Sequence, residues 1–198
     1  MGFYLKTALA ASVESALPSA SGSAIASAVD TYRVVKQFAR TLRNLDGVLE
    51  KAVKHAEARK FDANNFVTAR LFPDMRPFAF QIQTACDNAK NAAANLSGKA
   101  APRHEDTETT MAELRARIAK CLAFLDTFTA ADFEATRADT MIRLPNRPGK
   151  ALPAEEYFYA RQMPNFYFHV TTAYDLLRHG GVEIGKSDYL GPLGFVDA

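Results

Sequence analysis

Cysteine is almost missing from this chain, which has only Cys86 and Cys121. They form no C-x-x-C pair, and neither stands near a second histidine at zinc spacing, so a disulfide scaffold and a zinc finger are both excluded. Two isolated thiols read as buried residues of a protein kept in a reducing compartment, and the expected location is the cytoplasm. Charge of one sign is scarce as well. Lys and Arg number 24 against 22 Asp and Glu, a net charge of +2. No run of five or six like charges interrupts that balance, so neither a nucleic-acid partner nor an acidic lipid surface is expected. The uncharged stretch from Ser15 to Val29 is rich in Ala, Ser and Gly, too polar and too short to span a bilayer. No G-x-S-x-G, Walker loop, G-x-G-x-x-G or H-E-x-x-H occurs, which removes the common hydrolase, nucleotide-binding and zincin signatures.

What remains is a chain of 198 residues, the size of one domain that buries about two-thirds of its unfolded surface without staples. Residues 1–27 read as an N-terminal appendage, loosely helical and then Ser/Gly-rich. Lys6 interrupts its apolar part and also occupies the position where a myristoylation motif needs Ser or Thr. From Ala28 onward the period is helical, and residues 28–198 are expected to form a helical bundle domain. Between Asp30 and Arg59 one arc collects Val34, Val35, Phe38, Leu42, Leu45, Leu49, Ala52, Val53 and Ala56. His55 falls on the opposite, solvated side. A connector with Asp62 as a helical cap leads to Pro77, which suits the first turn of a second helix ending at Ser97-Gly98.

The inward arc of that second helix is Phe78, Ile82, Ala85, Cys86, Ala89, Ala93 and Leu96, small enough for close approach of a neighbour. Gln81 and Gln83 sit at its margins, while Thr84, Asp87, Asn88 and Asn91 point away. Thr110 and Glu113 form a capping box for a third helix with Met111, Leu114, Ile118, Cys121, Leu122, Leu125 and Phe128 in its stripe. The loop before it, with His104, Glu105, Asp106 and Glu108, reads as exposed and solvated. Around Pro145, Asn146, Pro148 and Gly149 the helical signal stops in favour of an irregular hairpin. Helicity resumes in "AEEYFYARQ", breaks at Met163-Pro164, and continues in "NFYFHVTTAYDLLRHGG" up to Gly180-Gly181. The closing "GVEIGKSDYLG" is expected to pack across the bundle end. Four substantial helices of this kind predict an all-α bundle.

In the last helix His169 points inward, and Asn165 stands one turn before it on the same face. A buried imidazole satisfied by a neighbouring polar group is one reading; a functional pocket lined by His169, with or without metal, is the other. Burial favours the neutral ring, the form that ligates metal or accepts a proton, so it does not separate them. Cys86 is a soft donor on the facing arc.

Three stretches, "ARLFPDMRPFAFQIQTACDNAK", "EDTETTMAELRARIAKCLAFLD" and "PNFYFHVTTAYDLLRHGGVEIGKSDYLG", closely resemble in that order an uncharacterised domain-of-unknown-function family of the DinB/YfiT-like metalloenzyme superfamily. The similarity covers residues 28–191. It implies an up-and-down four-helix bundle with an unusual crossover, a homodimer, and a divalent metal such as zinc, nickel or iron held by three histidines; some relatives are thiol-dependent transferases. Aligned on "LLRHGGV", the family's histidine pair falls on Asn165 and His169, so one histidine survives. On the second helix the candidates for the third ligand are Phe78, Ile82 and Cys86, with Gln83 at the edge, and none is a histidine. The expectation is therefore an altered, metal-free site around His169, with Asn165, Gln83 and Cys86 as its pocket, His169 as the candidate catalytic base and only possible metal ligand, and a small molecule as partner; the alternatives are a divalent-metal-dependent thiol transferase and a structural or stress-associated dimer without a ligand.

Overall fold

The structure, a computed structural model, describes residues 28–144 and 147–196. The expected appendage at residues 1–27, and Pro145 and Asn146 of the expected hairpin, lie outside the described residues. Four helices carry the fold: α1 (Ala28–Ala58), α2 (Phe78–Ser97), α3 (Met111–Leu125) and α4 (Met163–His179). Between α3 and α4 a two-stranded antiparallel hairpin, β1 (Met141–Arg143) with β2 (Ala151–Pro153), pairs Ile142 with Leu152. The excursion is thus a hairpin, and the described chain is an all-α bundle apart from it.

Helix boundaries follow local chemistry. Thr110 accepts from the Glu113 N–H, and the Glu113 carboxylate accepts from the Thr110 N–H, so two orphan donors of α3 are satisfied reciprocally. Helix α2 ends where Gly98 adopts φ +73°, a left-handed cap that glycine takes without a Cβ clash. Pro77 stands just outside α2 rather than in its first turn.

Pairings along the helices give their directions. Gln81 meets His169 and Asn88 meets Asn165, so α2 and α4 are antiparallel. Arg115 pairs with Asp46 and Asp126 with Arg43, so α1 and α3 are antiparallel. Gln83 reaches Glu108 at the start of α3, while Lys99 reaches Asp132 beyond its end, so α2 and α3 run the same way. The crossover is the connection 98–110: its residues can span about 40 Å extended, enough to return along a helix of about 30 Å. Phe38 packs on Phe166 at 4.4 Å between ring centroids and joins α1 to α4 within the core.

Two expectations are corrected. There is no break at Met163-Pro164: residues Glu156–Gln162 form a π-helical turn that runs straight into α4, with the Met163 N–H bonded to the Phe158 carbonyl. Proline lacks an N–H and is tolerated early in a helix, so Pro164 marks a shift of hydrogen-bond register rather than a stop. The closing segment does not cross the bundle end either. It forms a short helix, α5 (Lys186–Leu190), that lies along α1 through Lys51 to Asp188 at 2.6 Å and Asn44 to the Tyr189 carbonyl at 3.1 Å.

Candidate functional site

Helix α2 shows a different side chain set to each neighbour. Gln81, Thr84, Asn88, Asn91 and Asn95 are spaced three and four apart, which on a helix makes one continuous stripe. Helix α4 and the π turn before it carry a matching polar stripe of Gln162, Asn165, His169 and Thr172. The stripes face each other across the α2/α4 seam. His169 Nδ1 lies 2.7 Å from Gln81 Oε1, the Asn165 carboxamide donates to Asn88 Oδ1 at 3.0 Å, and the Gln162 carboxamide donates to the Asn88 carbonyl at 3.4 Å. Further along, the Asn95 carboxamide donates to the Tyr157 hydroxyl at 2.7 Å.

This network fixes the His169 tautomer. The Gln81 amide nitrogen donates to the Arg76 carbonyl at 3.0 Å, so its oxygen faces the ring. That oxygen can only accept, hence Nδ1 carries the proton and Nε2 presents a lone pair. Among the described residues none bonds Nε2. Burial pushes the ring's pKa below the ordinary histidine range, so the neutral form dominates at neutral pH. Phe80 and Phe168 stand edge-on to it at 5.8 and 5.2 Å. An oriented, neutral imidazole with one free lone pair can accept a hydrogen bond or a proton from a ligand.

Asn88, taken from the sequence to point away, is buried, and its Nδ2 has no hydrogen-bond partner. Exchanging O and N on both Asn88 and Asn165 would merely leave the other Asn88 atom unpaired, so the surplus polar atom is real in either orientation. Beside it opens a cleft of about 430 Å³ between α2, the π turn and Leu144. Asn165 lines it, and His169 stands one turn further along α4.

The other expected pocket residues are elsewhere. Gln83 turns to the opposite flank of α2 and donates to Glu108 at 2.9 Å. Cys86 is fully buried against α3, where its carbonyl accepts from the Cys121 thiol at 3.3 Å. Hydrogen bonding with Cys121 and then burial hold the Cys86 thiol well above its usual pKa, the reverse of what a ligating or nucleophilic thiolate needs. The structure thus brings His169 and Asn165 together and adds Gln81 and Asn88, while Gln83 and Cys86 belong to the α2/α3 seam. The signal that finds the missed pair is the three-four spacing of polar residues on α2, the pattern by which a helix buries a polar stripe.

The donor set does not fit a three-histidine metal centre. Its imidazole is accompanied by carboxamides, neutral and weak ligands, and the Gln81 oxygen is already committed to His169. No group of three or more His, Cys, Asp or Glu able to hold a metal occurs among the described residues.

On the α2/α3 side Glu105 and Asp106 are exposed as expected, whereas Glu108 is drawn in against a buried arginine. Arg117, 1% exposed, bonds Asp87 at 2.9 Å, Asp106 at 3.1 Å and Glu108 at 3.1 Å, and donates to the Glu105 carbonyl at 3.0 Å. A buried guanidinium requires such partners. His104 is half-buried rather than exposed, and His55 is also half-buried, edge-on to Phe61 at 6.0 Å. No helix among the described residues is long and apolar enough to cross a membrane.

Comparison with known proteins bears on this arrangement. Residues 32–190 match the model of the family described as Domain of unknown function (DUF1993). A crystal structure of a DinB family member protein from Shewanella denitrificans is 43% identical, covers 86% of this chain and 97% of its own, and superposes with a TM-score of 0.82. No curated protein matches.

Proposed function

Because the chain belongs to the Domain of unknown function (DUF1993) family, within the DinB-like superfamily, its description assigns no activity, and we propose from the site itself that it binds a small molecule. The ligand sits at the α2/α4 seam and donates a hydrogen bond to His169 Nε2. The observation that carries this reading is the oriented His169–Gln81 pair, 2.7 Å apart, at the head of a polar seam with an unsatisfied Asn88 nitrogen. Polar stripes are costly to bury between helices, and places where the local rule is broken are where function concentrates. If chemistry follows binding, His169 is its base, since the ring is neutral and its second nitrogen is held by Gln81.

The metal-dependent thiol-transferase alternative has less support, because carboxamides replace the histidines such a centre uses. Two measurements on the full chain test the choice. A fragment screen read at the His169 imidazole by NMR is expected to yield ligands whose binding is lost in His169→Phe; a screen in which no fragment perturbs that ring removes the reading. Elemental analysis of protein purified without chelator is expected to give far less than one metal per chain. Near-stoichiometric zinc, nickel or iron that disappears in His169→Ala overturns the metal-free site.

A further inference from the structure

The cleft next to Asn88 has a one-sided chemistry. Among the described residues its polar lining consists of carboxamides, the Thr84 and Tyr157 hydroxyls and a single ionic group, Arg161, and no carboxylate. Arg161 Nη1 donates to Gln162 Oε1 at 2.5 Å, and its guanidinium stands 6.0 Å from the Tyr157 ring centre. No ion pair joins Arg161 to any described residue. Gln162 is itself 2% exposed and Asn88 6%. A half-buried guanidinium whose one side-chain hydrogen bond goes to a neutral carboxamide is a cation without a paired anion.

The geometry points to a small organic monocarboxylate as the ligand of this cleft, with Arg161 taking the carboxylate. This inference rests on the small-molecule reading above and names its ligand class. Carboxylate is the group a guanidinium fork recognises best. The Asn91 side chain, which makes no hydrogen bond to any described residue, is available to the second oxygen. An amino acid fits less well, since its ammonium would need an anion that the lining does not provide. Leu144 and the Tyr157 ring give the carbon body an apolar wall, and about 430 Å³ is within the ordinary size range of ligand sites.

The π turn explains how these groups meet. Tyr157, Arg161 and Gln162 all line the cleft, and the wider i→i+5 turn lets Arg161 and Gln162 both lie under Tyr157, where an α turn would swing one of them aside.

Calorimetric titration of the full chain near neutral pH with lactate, pyruvate, 2-hydroxyisovalerate and mandelate, each against its primary amide and against alanine, tests the assignment. At least one acid is expected to bind roughly tenfold more tightly than its amide, the scale of a charge-assisted hydrogen bond. Arg161→Gln should erase that preference and Arg161→Lys should keep part of it, with circular dichroism confirming that both variants fold. No acid binding more tightly than its amide, or a preference unchanged in Arg161→Gln, overturns the inference. If neutral amides or other fragments still perturb His169 in that case, the small-molecule reading stands without the carboxylate; if nothing perturbs it, both fall.

Discussion

Burial holds the His169 ring below the ordinary histidine range, and burial acts the same way on His104, with repulsion from Lys90 and Arg117 added. Above the unfolded-state pKa both states carry the neutral ring and stability is unaffected. As pH falls through the unfolded value toward the lower folded one, the unfolded chain takes up the proton first, so stability declines. The urea midpoint is therefore expected to drop between pH about 7.5 and about 5.5, the window in which histidine titrates. The drop should shrink in His169→Asn and in His104→Asn; an equal drop in both variants would place its origin elsewhere. The acids held low titrate below this window, Asp126 through its bond to Arg43 first of all. Arg117 behaves differently, because it is always charged. Arg117→Met leaves Glu108 without its cation and Asp87 with Lys90 alone, and should cost about 3 kcal/mol, the low end for a broken buried pair since Asp106 can return to water; a loss under about 1 kcal/mol, measured by urea unfolding, would show the network to be superficial. The sequence makes His169 legible because its neighbours Phe166, Val170 and Ala173 share an apolar arc. Arg117 escapes the same reasoning: a charged residue scores as surface, although it lies three after Leu114 and four before Cys121 and the acid-rich loop that neutralises it immediately precedes its helix.

Helices α2 and α4 show why the apolar pattern reveals one seam and hides another. Apolar periodicity finds Phe78, Ile82, Ala85 and Ala89, but it assigns Asn88 to solvent, since periodicity alone cannot distinguish a polar residue facing water from one facing another polar stripe. The pair Asn88 and Asn165 makes the difference measurable. Asn165→Leu leaves both polar ends of the buried Asn88 carboxamide without a partner and should cost about 1–3 kcal/mol. Asn88→Leu with Asn165→Leu replaces both partners by apolar groups, and should recover most of that stability while abolishing ligand binding at the cleft. A double variant no more stable than the single one would mean that the seam cannot accept leucine, and that the stripe is polar for packing reasons. The capping box of α3 is the element that sequence reasoning places most securely, because Thr110 and Glu113 interact only with their own turn. Thr110→Ala should cost about 1 kcal/mol, checked by the same unfolding curves. The π turn is the least legible: seven residues that bond i→i+5 have an ordinary helical composition, and Pro164 suggests a break that the neighbouring packing of Tyr157 and Phe158 overrides.

At the scale of the whole molecule, the chain direction reverses between α1 and α2, repeats in α3 and returns in α4, so α1 and α4 lie parallel. Parallel neighbours share no short connection, and something else must hold their register. Phe38 on Phe166 supplies part of it from within the core. The closing helix supplies the rest from outside: Tyr189 offers its carbonyl to Asn44 on α1, while its hydroxyl lies 3.1 Å from that of Thr171 and its ring stands 6.0 Å, edge-on, from Tyr174 on α4. Arg40 adds a bond to the Pro192 carbonyl. Gly191 turns the chain there at φ +69°, a conformation that favours glycine, and a Cβ would push the Asn44 side chain away from its bond to Tyr189. Removal of everything after Ile184 deletes a half-buried tyrosine and five side-chain hydrogen bonds to α1 and α4, mostly exposed, a loss of about 2 kcal/mol, which for a domain of this size lowers Tm by about 4–8 °C. Gly191→Ala should move Tm in the same direction by less, because it displaces the strap without deleting it. Helix content by circular dichroism should barely change in either variant, since α1 and α4 each have a core face of their own. An unchanged Tm after truncation would show that the apolar core alone sets the register of the parallel pair, and that α5 rests on the bundle without bracing it.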